Sequence, residues 1–373
     1  MAKKALLTVD GTYHKVKKGF ITIGRKYRKV KKVFLTVGGV YRPCWSGGEL
    51  AYYGTITNLS VARYLLAATS IGDYALFGGG SYYSNGNYRQ SKVDAYNKSL
   101  VRSIPTALSA ERMNLDATTV GNYALFGGGE QLNAYTATVD AYDKSLTRTT
   151  PTALSTAKRC YSATTVGNYA LFGGGSSNLT LYASVDAYNT SLVKSTPTDM
   201  SVKRNNGAAT SVGNYAIFGG GGYNGSKNVD AYNASLTRTL ATAFSNARDY
   251  LAATTVGNYA LFGGGNSPSD VVEAYDTSLT KSIITPLSVA RYSLAATTVG
   301  DYALFAGGLY NSYNPHNAVD AYDTSLTRST PTGLNTARQN MGATTVGNYA
   351  LFGGGQTTSA TVQYAVVDAY VVA

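Results

Sequence analysis

Apolar residues in this chain come in runs of four or five, bounded by glycine, asparagine or proline and nowhere at helical spacing. From residue 49 onward one arrangement of such runs recurs. A run of the form Ala-Thr-Thr-Val, as at 117–120, predicts a strand. Gly-Asn or Gly-Asp follows, a pair suited to a two-residue hairpin turn because both residue types tolerate positive φ. Tyr-Ala-Leu-Phe then runs into glycines as the second strand, and Val-Asp-Ala-Tyr makes the third. An Asn/Asp-x-Ser turn leads to Leu-Thr-Arg-Thr, read as the fourth strand, which soon meets Pro105, Pro151, Pro197 or Pro331. Proline cannot donate to a ladder, so this strand belongs at an outer edge.

The second-strand phrase starts at Tyr74, Tyr123, Tyr169, Tyr215, Tyr259, Tyr302 and Tyr349, with 43–49 residues between starts. The third-strand phrase follows each, from Val93, Val139, Val185, Val229, Val272, Val319 and Val367. Repeats of this length with four strands each predict an all-β fold, a seven-bladed β-propeller of four-stranded antiparallel blades. The last unit stops after its third strand, and the segment 49–62 aligns with the fourth strand and connection of the other units. Residues 52–57 are therefore expected to pair with the C-terminal blade and close the ring, leaving no free edge.

Glycines after an apolar strand, a Tyr-Asp or Tyr-Asn pair, and an Arg opening the next unit resemble the kelch repeat across residues 49–373. Kelch units usually carry a Trp after the Tyr-Asp pair, whereas the only Trp here is Trp45, outside that stretch. Packing between blades is expected to rest on Tyr, Phe and Leu instead.

Charge separates the first 48 residues from the rest. They hold 12 of the 32 Lys and Arg against one acid, Asp10, while 49–373 is nearly neutral. This asymmetry, with the small residues Ser46-Gly47-Gly48, predicts a boundary between a domain at 1–48 and one at 49–373. The head has its own 14-residue period (5–18, 19–32 and 33–46), each unit an apolar strand, a turn and a strand often ending in basic residues: three β-hairpin repeats. Its basic residues include Lys15, Lys17, Lys18, Arg28, Lys29, Lys31 and Lys32. A hairpin alone is marginal, so stacking or homo-oligomerisation is expected. Such tandem basic hairpins resemble segments of tail and fibre proteins from phages and prophages of gut Firmicutes. The resemblance implies a virion location and attachment to other virion proteins through residues 1–48. Phosphate contacts would let a basic head bind nucleic acid, but no base-reading motif accompanies the charge, and nucleic acid is disfavoured.

Variation among the units collects in two places: the loop from the glycines to Val-Asp-Ala-Tyr, and the two residues after each opening Arg. In an antiparallel meander both emerge on one face. Tyr, Asn, Ser and Gly dominate them, the mixture paratopes use. The candidate binding face comprises Tyr64, Tyr82, Tyr83, Tyr88, Tyr135, Arg159, Tyr182, Asn205, Tyr223, Tyr250, Tyr292, Tyr310, Tyr313, His316, Gln339 and Tyr364. Unconstrained drift in loops is the alternative. The opening cations Arg63, Arg112, Lys158, Arg204, Arg248, Arg291 and Arg338 are also candidates: ringing the channel mouth they would attract an anionic ligand. Alternatively each bonds a neighbouring blade or a carboxylate of the Asp94, Asp140, Asp186, Asp230, Glu273, Asp320 and Asp368 series, which reads as frame.

Several chemistries find no support. The glycine runs precede no helix, so they are not phosphate cradles. His14 and His316 are too few for copper or zinc chemistry, aspartate boxes with Trp are missing, and Cys44 and Cys160 read as free thiols. No cofactor or metal is expected. No apolar run is long enough to span a membrane, and the start, MAKKALLTVD, does not read as a signal peptide. The expectation is a non-enzymatic binding protein of a phage or prophage particle, tail-fibre-like, meeting a host surface glycan or protein. The alternatives are a decoration protein without a recognition role and a polysaccharide-degrading enzyme.

Overall fold

The computed structural model describes residues 48–372, apart from 85, 267, 312–313 and 359–361, and the backbone of six strands nearer the N-terminus; at 87 and 311 the backbone alone is described. Among the described residues there are strands and turns and no helix. Seven four-stranded antiparallel sheets, six of them in sequential strand order, make seven blades. Blade 1 consists of Ala67–Ile71, Tyr74–Gly78, Val93–Asn97 and Arg102–Ser103. Blades 2 to 6 repeat this plan from Asp116, Ala163, Ala208, Ala252 and Ala295.

Blade 7 shows how the ring shuts. Its strands Gly342–Val346, Tyr349–Gly353 and Val367–Val372 come from the C-terminal end, and Leu50–Ile56 supplies the fourth. Ile56 stands opposite Val367 and Leu50 opposite Val372. The closing strand begins two residues before the expected 52–57 because Val371 and Val372 lengthen its partner.

The fourth strands correct the sequence reading in another way. They start at the Arg or Lys rather than at the Leu, as at Arg102–Ser103 and Arg148–Thr149. The Asn97 side-chain oxygen accepts the N–H groups of Ser99 and Val101, and this drives Leu100 into the left-handed region at φ 60°. The Leu is thus part of the turn, and five other blades repeat this at Leu146, Leu192, Leu236, Leu279 and Leu326.

The core lies in wedges between blades. One wedge sets Ile71, Leu76, Val93 and Ala95 of blade 1 against Ala117, Ala124, Phe126 and Tyr142 of blade 2, and the other junctions repeat the theme. Tyrosine does the anchoring that tryptophan does not do here. Phe77 and Tyr96 meet edge to face at 5.9 Å, and the Tyr96 hydroxyl donates to the Thr57 carbonyl at 2.8 Å. Tyr142, Tyr188, Tyr232, Tyr275, Tyr322 and Tyr370 make the same bond to the connection entering their blades. A buried aromatic pair of this geometry is worth about 0.5–1.5 kcal/mol beyond its area.

Before the propeller, Leu6–Val9 pairs with Thr12–Lys15, Phe20–Ile23 with Lys26–Lys29, and Val33–Val37 with Val40–Trp45. These are three two-stranded antiparallel pairings. The side chains of Lys15, Lys17, Lys18, Arg28, Lys29, Lys31 and Lys32 lie outside the described residues.

Candidate ligand-binding face

Each blade sends its second-to-third loop and its incoming connection to one pole, and backbone pairing ties the two together. Tyr64 bridges Ser81, Met113 bridges Glu130, Arg159 bridges Ser176, Tyr292 bridges Leu309 and Gln339 bridges Gln356. The loops also reach the next blade. Gly80 N–H donates to the Arg112 carbonyl at 2.9 Å, and the equivalent bond recurs at every junction round to Gly355 N–H and the Arg63 carbonyl. The glycine run is what permits this approach: Gly79 and Gly80 have φ of 70° and 105°, and a Cβ on Gly79 would sit 2.7 Å from the Arg112 carbonyl oxygen.

The reverse pole holds the Gly-Asn and Asn-x-Ser turns, and they interlock. Gly121 packs against Thr190 of the next blade, Gly213 against Thr277 and Gly257 against Thr324. Their sameness therefore has a packing cause of its own. It does not measure how freely an unconstrained loop would vary.

The seven opening cations are enclosed, which corrects the expectation of a charged ring at the channel mouth. Arg63, Arg112, Arg204, Arg248, Arg291 and Arg338 are at most 2% exposed, and Lys158 is 0% exposed. Each Arg meets the carboxylate of its blade's third strand, at 2.7 Å for Arg63–Asp94 and 2.6 Å for Arg112–Asp140. That carboxylate also accepts a backbone N–H from the incoming connection, Ser60 for Asp94 and Ser109 for Asp140. A second cation from the fourth strand often completes it, as Arg148 does for Asp140 at 2.8 Å. In blade 7, where the fourth strand comes from the other end of the chain, Tyr52 donates to Asp368 instead at 2.6 Å. A charge this deep persists only when paired, so these groups hold the ring and are closed to ligand.

Tyr64, Asn205 and Gln339 are also buried, at 7–8% exposure. The connection explains this. The first residue after each opening cation turns outward to bridge the loop, and the second faces the axis. Leu65, Asn114, Asn206, Tyr250, Ser293 and Asn340 occupy that second position with φ of 50–54°. Their backbones form a chain around the axis: Asn114 N–H to Leu65, Cys160 to Asn114, Tyr250 to Asn206, Ser293 to Tyr250, Asn340 to Ser293 and Leu65 to Asn340. Sequence reading named this position in every unit but carried only Tyr250 of it into the candidate site.

Inside the ring lies a funnel of about 680 Å³, lined by these residues and the first residues of the inner strands. Its lining is uneven. At the repeat position that Ala67, Ser162, Ala208, Ala252, Ala295 and Gly342 hold in the other blades, blade 2 has Asp116, which reaches the funnel. Burial pushes this carboxyl up to about 7, although it accepts the backbone N–H groups of Ala117 and Ala163. Blade 3 departs further. Cys160 fills the core place that Leu115 fills in blade 2, with its sulfur where the leucine methyls lie, and Tyr161 turns to the funnel. Arg159 bonds Tyr161 and donates to Glu130 at 2.7 Å, and Glu130 also receives Arg89 at 2.9 Å. Asp116 and Tyr161 escaped the sequence reading, yet both were visible as unlike residues at positions where the other units hold Ala, Ser or Gly and mostly Leu.

The remaining candidates stand around the rim. Tyr82 and Tyr88 stack at 5.3 Å across a small loop hairpin, and Tyr83, Tyr88, Tyr223, Tyr250 and Tyr310 are exposed. Tyr135 sits beneath the Arg159 guanidinium and bonds Asn178; Tyr182 bonds Ser177. Tyr292 and Tyr364 are half-buried, and the His316 Nδ1 accepts the Ala318 N–H, its pKa lowered by burial and then by Arg291. Tyr313 lies outside the described residues. Among the described residues no three of His, Cys, Asp and Glu gather as a metal cluster, and no helix is long and apolar enough to cross a membrane.

Seven antiparallel blades closed by an N-terminal strand define the chain as a seven-bladed β-propeller, consistent with a kelch-like propeller. No protein-family model matches the sequence, and no curated protein matches it either.

Proposed function

We propose that this protein is a non-enzymatic binding protein of a phage or prophage particle, whose propeller meets a host surface glycan or protein. One observation carries the binding part: the diverse loops and the polar funnel share one pole, and tyrosines and amides from six of the seven blades line a single concave surface. Rigid aromatic rings beside adaptable amides are what recognition surfaces are made of. The virion context rests on the resemblance of the basic hairpins to tail and fibre segments, and residues 1–48 would serve as the attachment domain. Binding is favoured over catalysis because Asp116 stands alone. Glu130, which accepts from the funnel residue Asn114, is held in ion pairs with Arg89 and Arg159.

The test is adhesion of the full chain to host cells, before and after loops 81–92 and 309–318 are each exchanged for the short 266–271 loop. Loss of adhesion with unchanged thermal stability supports the reading, and undiminished adhesion rejects it. A chain that never adheres to cells leaves the decoration role in its place. Mass spectrometry of purified induced particles tests the virion assignment.

A further inference from the structure

We infer that the funnel takes a neutral, polyhydroxylated ligand, a saccharide, on its blade 2 to blade 4 side, with Asp116 as the anchoring group. The inference rests on the recognition reading above and narrows it to one subsite and one ligand chemistry.

Charge decides against an anion. With the seven opening cations buried, six of them paired with carboxylates and Lys158 bonded to Ser184, the charged residues lining the funnel among the described residues are Asp116 and Arg159. Arg159 is already met by Glu130 and Tyr161, so it offers little uncompensated charge. An acidic sugar would find no free cation facing it.

What the funnel does offer suits hydroxyl groups. Asn114, Asn206 and Asn340 line it with amides, that of Asn114 also donating to Glu130 at 3.3 Å and that of Asn206 bonded to Tyr250, and Tyr161 adds a hydroxyl. Asp116 retains its proton to about pH 7, which lets the carboxyl donate as well as accept. Tyr250 and Tyr292, set edge to face at 6.4 Å, provide ring surface at the rim for the apolar face of a sugar.

The backbone opens on the same side. The axial chain of hydrogen bonds runs unbroken from Asn206 through blade 7 to Cys160, but no such bond joins Cys160 and Asn206. The Cys160 carbonyl and Asn206 N–H are thus left without the partner their counterparts have. Cys160 and Asn206 belong to the same lining as Asp116 and Tyr161. The cavity volume falls inside the range of small-molecule sites, about 300–1,000 Å³.

Isothermal titration of the full chain with cellotetraose, maltotetraose and tri-N-acetylchitotriose, against tetragalacturonate and chitosan tetramer, tests this. Binding of at least one neutral oligosaccharide is expected, weakened about tenfold or more in Asp116→Ala and in Asn206→Ala, with no loss of thermal stability. Preference for the acidic or the cationic oligomer overturns the inference, as does uptake of none of the five or full retention in both variants. The cell-adhesion assay separates the two levels. Wild-type adhesion that survives both substitutions removes the funnel subsite and leaves the recognition face standing. A wild-type chain that does not adhere removes the broader reading.

Discussion

Blade 3 and its six copies share almost every strand residue and differ in how they are joined. In six blades an opening Arg forks between a buried carboxylate and backbone carbonyls; in blade 3, Lys158 reaches Ser184 instead, and no ion pair joins it to Asp186. Along the axis Thr hydroxyls link neighbouring inner strands, as Thr118 does with Thr165 at 2.9 Å and Thr210 with Thr255 at 2.8 Å. No such link joins blade 3 to blade 4 or blade 7 to blade 1, where Ser211 and Ser70 stand in the Thr place. The axial backbone chain fails at the first of these junctions. The departures cluster beside Asp116 and Tyr161, so the ring is least regular where the funnel is most polar. A repeat fold can spare one junction because the other six and the N-terminal closing strand hold the circle.

The sharpest way to break the comparison is to make a regular blade worse than blade 3. Arg112→Ala leaves Asp140 buried without its main partner and should cost about 3–5 kcal/mol in urea unfolding. Lys158→Ala should cost clearly less, about 1–2 kcal/mol, because only a bond to Ser184 is lost.

Asp116 gives the next effect, through pH. Its folded pKa of about 7 lies above the ordinary value of 3.8, so between these values the native carboxyl keeps a proton that the unfolded chain has released. Stability therefore falls as pH rises across that window, and the loss is complete above it. Asp116→Ala should match the wild type near pH 4, gain on it steadily to about pH 7, and hold a constant lead beyond, read from urea midpoints.

Repairing blade 3 should help modestly. Lys158→Arg restores the fork toward Asp186 and Ser211→Thr restores the axial link, each adding about 1 kcal/mol. The two sites share no partner, so their effects should add. The smallest expected signal is a silence. Burial pushes the Cys160 thiol up to about 12, so in a Cys44→Ser background folded protein should not react with a disulfide reagent at pH 8 and should react once unfolded.

Much of this was legible in the residues. Strand pattern, blade count, ring closure and the shared pole of the two variable sets follow from alternation and turn chemistry, which act over a few residues and leave a local trace. Trp was dispensable for the same reason: seven Tyr at one repeat position announced what would replace it. The fourth strands were misread because an Asx turn competes with the ladder for the Leu, and only the hydrogen bonds to Asn97 and its equivalents show which wins.

The site was less legible. Seven cations at one register looked equally able to face a ligand or a carboxylate, and distances were needed to show them sealed in. The near-constancy of the turns on the reverse pole has its cause in packing against the next blade, which spacing along the chain does not show. Sequence alone determined the number of blades and which loops share a pole, since both depend on spacing along the chain. Only the tertiary structure decided which residue of each connection faces the axis. That depends on whether Leu115 or, in blade 3, Cys160 reaches the core first, a competition for buried volume between segments far apart in sequence.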